Sequence, residues 1–109
     1  MVVVMSTGTV ATVVTYAIDP ANADKLRDAI REQLVPAARK AAGYRGFVAL
    51  DVGEGKRIGI VVFDSVEHGR AAQASISAAA KEAGIYALQT EPQKGVFGAA
   101  IVADGIFGA

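Results

Sequence analysis

The chain has 109 residues, the length of one domain, and its 11 basic and 11 acidic residues balance. That balance argues against nucleic acid or an anionic membrane surface as partner, since both call for an excess of Lys and Arg. There is no Cys, which excludes disulfides, thiolate nucleophiles and zinc–thiolate sites and fits a cytoplasmic protein.

Met1 to Met5 is apolar but far too short to span a bilayer, and it lacks the basic and apolar regions of a signal peptide. The sequence predicts a frayed start there or an extension of the first strand. That strand is predicted over Thr9 to Ile18. Val10, Thr12, Val14, Tyr16 and Ile18 point one way and Ala11, Val13, Thr15 and Ala17 the other. Asp19-Pro20 breaks it, with Asp19 or Asn22 as the cap of a helix that runs to about Ala42. Leu26, Ile30, Leu34, Ala37 and Ala41 make its apolar stripe. Pro36 lies inside this helix, lacks an N–H and crowds the preceding turn, so a kink or break is expected near Gln33 to Val35. Gly43 suits the C-terminal cap.

Two alternating strands follow, Phe47 to Val52 and Arg57 to Asp64, joined at Gly53-Glu54-Gly55-Lys56. Phe47 and Ala49 oppose Val48, Leu50 and Val52; Gly59, Val61 and Phe63 oppose Ile58, Ile60 and Val62. Both faces of this hairpin are therefore apolar. A second helix is predicted from Val66 to Ala83, capped by Asp64 or Ser65, with Val66, Ala72, Ile76, Ala79, Ala80 and Ala83 inward and Gly84 as its stop. Ile85 to Lys94 reads as either a short extra turn or a loop. The last strand is predicted from Gly95 to Asp104, and the Gly-rich tail from Gly105 to Ala109 is a candidate for crossing to a partner subunit.

Strand, helix, strand, strand, helix, strand is the order of a ferredoxin-like α+β domain, an antiparallel four-stranded sheet with both helices on one face. The other face is apolar, and no element of the chain is left to cover it. Burying it would gain about 25 cal/mol per Å², so the sequence predicts a homodimer through the open sheet face with an interface above roughly 1,000 Å².

With this element order, the chain resembles the dimeric α+β barrel superfamily, specifically antibiotic biosynthesis monooxygenase-like domains. Gly43-Tyr44-Arg45-Gly46-Phe47 is similar to the glycine-bracketed turn from helix one into strand two, and Phe63-Asp64-Ser65-Val66-Glu67 to the aromatic-x-Ser-x-Glu entry into helix two. The resemblance implies a small apolar or aromatic molecule bound between sheet and helices, and a monooxygenase-like activity that needs no cofactor. Family members that degrade haem or oxidise aromatic polyketides typically use an Asn on the first strand, a Trp near the end of the third, and a His or Tyr on helix two. Here the single Asn is Asn22, outside the strand, Phe63 stands near the Trp position, and His68 opens the second helix.

The residues themselves offer few candidates for chemistry. His68 is the one side chain whose unperturbed pKa lies near neutrality. It suits a proton shuttle or an axial ligand, or else an ordinary surface histidine beside Glu67 and Arg70. With a single His, no metal site is expected. Tyr16 and Tyr44 join an apolar body to a hydrogen-bonding tip, as an aromatic ligand requires, or simply close the edge of the core. Thr12 shares a face with Tyr16 and would join it in holding a polar group, unless it serves only β-propensity. Arg45 is placed to pair with an anion or with an acid such as Asp51. No phosphate loop and no nucleophile elbow is present. The expected site is thus His68 and Tyr16 as proton-handling residues, with Thr12, Phe63 and Tyr44 around the ligand. The competing expectation is a non-catalytic ligand-sensing or assembly module of the same fold.

Overall fold

Alternation along the first strand becomes burial along one sheet face. The computed structural model describes residues 8–105, and in it β1 (Val10–Ala17) turns Val10 and Tyr16 inward, 1% and 8% exposed. Chain order continues with a 3-10 turn (Pro20–Asn22), α1 (Ala23–Ala29), a π turn (Ile30–Leu34), α2 (Val35–Lys40), β2 (Tyr44–Gly53), β3 (Lys56–Phe63), α3 (Val66–Glu82), α4 (Ile85–Leu88) and β4 (Lys94–Ala99). The strands lie in the order β2-β3-β1-β4, all neighbours antiparallel, with the helices on one face. This is the predicted ferredoxin-like α+β fold. The readings for Met1 to Met5 and for the tail beyond Gly105 lie outside the described residues. Among the described residues no helix is long and apolar enough to cross a membrane.

Pairing fixes which side chains share the helix-covered face. Val10 stands between Phe63 and Ala99, Thr12 between Val61 and Phe97, and Val14 between Gly59 and Gly95, while Tyr16 faces Arg57. The opposite face carries Val48, Leu50, Val52 and Val96, which are 40–68% exposed. An apolar face of this kind, bare of any covering element among the described residues, is what the alternation in β2 and β3 predicts.

In the first helix, the break expected near Gln33 to Val35 takes the form of a π turn over Ile30–Leu34, in which the Val35 N–H donates to the carbonyl of Ile30, five residues back. Pro36 explains it. Its ring would clash with the carbonyl of Glu32 in a regular helix and it has no N–H to donate, so an open π turn just before it accommodates both demands. Asp19 caps only the 3-10 turn, accepting from the Ala21 N–H at 2.9 Å; Asn22 precedes α1 without a capping bond from its side chain.

The hairpin turn is tighter than its four predicted residues. β2 and β3 are joined by Glu54 and Gly55 alone, both left-handed at φ 57° and 78°, the geometry that matches strand twist in a two-residue hairpin. Ser65, not Asp64, caps α3, with its Oγ accepting from the His68 N–H at 3.1 Å. Val66 is corrected from buried to 45% exposed. It is the first residue of the helix, and the buried residues of α3 are the expected Ala72 and Ala80 together with Gly69. β4 ends at Ala99, not Asp104, because β1 begins at Val10, opposite Ala99, and the last rung is the Ala100 N–H to the Thr9 carbonyl at 2.8 Å. Ile101 and Val102 are left 80% and 79% exposed. Ile85 to Leu88 forms a short helix, with Ile85 buried.

Candidate functional site

A cavity of about 350 Å³ lies between the sheet and the helices. Its origin is legible in the residues. Val14 is flanked by Gly59 and Gly95, so the middle of the sheet face has few side chains to fill it. Across from it, α3 presents Gln73, Ile76, Ser77 and Ala80, of which the small Ser77 and Ala80 leave space open. The π turn sends both Ile30 and Leu34 to the same cavity, one turn apart. Phe47, Phe63 and Phe97 supply aromatic wall from three different strands.

Thr12 is one of several polar residues in this largely apolar space. It lines the cavity, and its Oγ1 is buried without a hydrogen-bond partner. Leaving a buried hydroxyl unpaired costs on the order of 1–3 kcal/mol, a cost that a ligand oxygen would remove. Tyr16, two positions further along the same face, also lines the cavity. Burial pushes its hydroxyl pKa up, and the nearby Arg57 guanidinium opposes that shift only in part. Tyr16 therefore stays protonated at neutral pH and offers a hydrogen, not a base. Arg57 is itself held by Asp51 at 2.8 Å, with its side chain only 11% exposed. Asp51 thus pairs with Arg57 and not with Arg45, which lies 3.8 Å from Asp64.

Three of the five expected site residues, Thr12, Tyr16 and Phe63, meet at this cavity. Tyr44 and His68 are not among its lining residues. Tyr44 stands behind Phe63, ring edge to ring face at 6.3 Å and 77°, and so braces the aromatic wall from outside. His68 turns toward the start of β2. Its Nδ1 lies 2.6 Å from Asp64 Oδ1, and the pair packs against Gly43, whose φ of 81° and missing side chain make the approach possible. The Asp64 N–H donates to the Gly43 carbonyl at 2.8 Å, closing the same corner. Among the described residues no group of three or more His, Cys, Asp or Glu side chains is assembled to hold a metal.

Sequence reasoning passed over Phe47 and Phe97 as site residues, and also Gln73, Gln89 and Gln93, which line the cavity. The glutamines carry a signal only in retrospect. Gln89 and Gln93 sit in the segment whose structure the sequence leaves open, and Gln73 lies among alanines on a helix.

No family model matches the chain and no curated protein matches it. Solved structures do. A protein of unknown function from Nitrosomonas europaea superposes with a TM-score of 0.74 at 20% identity, over 94% of this chain and 96% of that one. SnoaB from Streptomyces nogalater, described as a cofactor-independent oxygenase, gives a TM-score of 0.69 at 16% identity over 85% and 93%. The chain has the ferredoxin-like α+β fold of these structures. A further example of that fold is a Streptomyces coelicolor monooxygenase determined with nanaomycin D bound, at TM-score 0.71 and 23% identity over 90% and 91%. At these identities the likeness establishes architecture, and the chemistry has to be argued from this chain's own cavity.

Proposed function

We propose that this protein binds a small, mostly apolar aromatic molecule in the cavity between sheet and helices and oxygenates it without a bound cofactor. The observation that carries the reading is the buried, partnerless Oγ1 of Thr12 inside that cavity. A hydroxyl so placed is a donor waiting for a ligand oxygen, and one that becomes more basic during reaction would hold it best. Tyr16 adds a second hydroxyl, kept protonated by burial. Phe47, Phe63 and Phe97 give flat rings their walls. His68 is left out of this chemistry because it does not line the cavity, and Tyr44 contributes only by bracing Phe63.

The reaction that suits such a site is one in which the substrate supplies the electrons. A phenolic carbon acid loses a proton from CH₂ to water, which later returns one to the peroxide anion, and Thr12 and Tyr16 donate to the enolate oxygen. The carbanion reduces dioxygen, a hydroperoxide forms at the carbon, and loss of water leaves a carbonyl. One CH₂ and one O₂ become one C=O and one H₂O. Support by analogy comes from SnoaB and the Streptomyces coelicolor monooxygenase, which share the fold. The open sheet face, with Val48, Leu50 and Val96 at 50%, 40% and 68% exposure, supports a second copy of the chain as its cover.

Oxygen consumption with a 1,8-dihydroxyanthrone tests the reading. The expected result is uptake above the buffer rate that falls at least tenfold in Thr12→Val or Tyr16→Phe. Uptake no faster than buffer would remove the catalytic claim, and saturable binding without turnover would put a ligand-sensing module in its place.

A further inference from the structure

The cavity is uncharged all the way round. The chain carries 22 charged residues, 11 of each sign, yet none lines the cavity. Its polarity comes instead from hydroxyls and from amides, and three of the chain's four glutamines are there: Gln73 on α3, and Gln89 and Gln93 between α4 and β4. With side-chain amides and no cation on its wall, the cavity has nothing to pair with an anion, so a carboxylate gains no ion pair there to offset the water it gives up.

Gln89 and Gln93 form a defined pair. The Gln89 Nε2 donates to the Gln93 Oε1 at 3.0 Å, at the solvent-exposed edge of the cavity, where Gln89 is half-buried and Gln93 exposed. The backbone beneath them is pinned: Gln89 bridges Ile18, and the Thr90 N–H donates to the Ala17 carbonyl at 2.9 Å. Each primary amide has two N–H donors and a carbonyl with two lone pairs. After the mutual bond, Gln89 keeps a free carbonyl and Gln93 keeps a free NH₂. The pair therefore presents an acceptor and donors side by side, at the end of β1 away from Val10.

We infer that the Gln89–Gln93 amide pair determines specificity, selecting an uncharged ligand whose edge carries a donor next to an acceptor, such as a carboxamide, a lactam or a hydroxyl beside a carbonyl. This rests on the cavity being the ligand site, as proposed above, but not on any turnover there. A ligand reaching from Thr12 to the glutamines meets a single hydroxyl at one end and a paired amide at the other. Replacing either glutamine by Leu removes half of the matching edge while keeping an apolar side chain of similar length.

The test is fluorescence titration of the whole chain with three naphthalenes of nearly equal shape: 1-naphthamide, 1-naphthoate and 1-methylnaphthalene. The amide is expected to bind at least tenfold more tightly than the carboxylate. Gln89→Leu and Gln93→Leu should each weaken the amide roughly three- to tenfold, the range of one lost hydrogen bond, and leave 1-methylnaphthalene unchanged or tighter. Unchanged methylnaphthalene binding also shows that the variants are folded. Equal affinity for amide and carboxylate, or amide binding insensitive to both substitutions, overturns the inference. Binding by none of the three removes the cavity reading and this inference together. Failure to oxygenate, with the binding pattern intact, removes only the catalytic proposal.

Discussion

Asp64 Oδ1 lies 2.6 Å from His68 Nδ1, one helical turn ahead of it and across the Ser65 cap of α3. The contact ties the ring to the junction of β3 and α3 and keeps it at the Gly43 corner. It also holds the Asp64 carboxyl below its ordinary range, first through the hydrogen bond with His68 and further through the charges of His68 and Arg45 and a bond with Ser65. A carboxyl whose pKa is lower in the folded state stabilises the fold above its unfolded value, about 3.9, and loses that contribution as pH falls through the folded value. Asp64→Asn should therefore lower the melting temperature at neutral pH and flatten its dependence on pH below about 4. Melting curves between about pH 2 and 7 check this, and a variant as acid-labile as the parent would show that the pair contributes nothing.

Gly43 and Gly69 are both intolerant of a methyl group, for different reasons. At Gly43 the backbone is left-handed and an added Cβ would overlap the Asp64 carboxylate and the His68 ring. At Gly69 the backbone is ordinary helix, but a Cβ would come 2.9 Å from both Phe97 Cε2 and Val10 Cγ2. Strain of either kind costs roughly 1–3 kcal/mol. Gly43→Ala and Gly69→Ala should each lose stability in that range by denaturant titration. The Gly69 change should also alter ligand affinity, because Phe97 is a wall of the cavity.

Thr12→Val separates stability from function. Valine keeps the shape and removes the buried, partnerless hydroxyl. The empty protein should be as stable as the parent or more stable by about 1 kcal/mol, while affinity for an oxygen-bearing aromatic falls about tenfold. A destabilised Thr12→Val would mean that the hydroxyl does find a partner within the fold.

A charge on the open sheet face should separate the proposed dimer. Leu50 is 40% exposed on β2 and Val96 is 68% exposed on β4. In Leu50→Asp a carboxylate would be buried at a pair interface, and several kcal/mol of association should be lost. Sedimentation velocity at micromolar concentration should show the parent as two copies and the variant as one. A parent that sediments as a single copy would refute the pairing outright.

The topology was legible because period-two alternation shows in the burial of β1 and β3 and because the turns are written in glycine. Val10, Tyr16, Val61 and Phe63 are all buried as their alternation demands. The site was legible only along β1, where Thr12 and Tyr16 share a face, and at the end of β3, where Phe63 stands. The rest depends on contacts that sequence spacing does not reveal. Nothing in the local sequence says that Asp64 takes the His68 ring, since a helix start offers both solvent and neighbours. Gly69 looks like a weak point in a helix, whereas its bare backbone is what admits Phe97. Gln89 and Gln93 meet the cavity because β4 folds back beside β1, at a distance of some 75 residues along the chain, as Gln89 pairs with Ile18 and Lys94 with Thr15.

The widened turn from Ile30 to Leu34 has a consequence for how this protein can change. Five residues there fill a loop of helix that normally takes four. Deleting one of them, with Pro36 replaced, would let four residues of regular spiral complete the turn that five complete now, so the residues downstream would keep their faces. The wide turn that holds Ile30 and Leu34 against the hollow would narrow. The dimensions of the chamber are thus set partly by how many residues the chain spends in that stretch, a variable that insertion and deletion can alter while every wall residue keeps its identity.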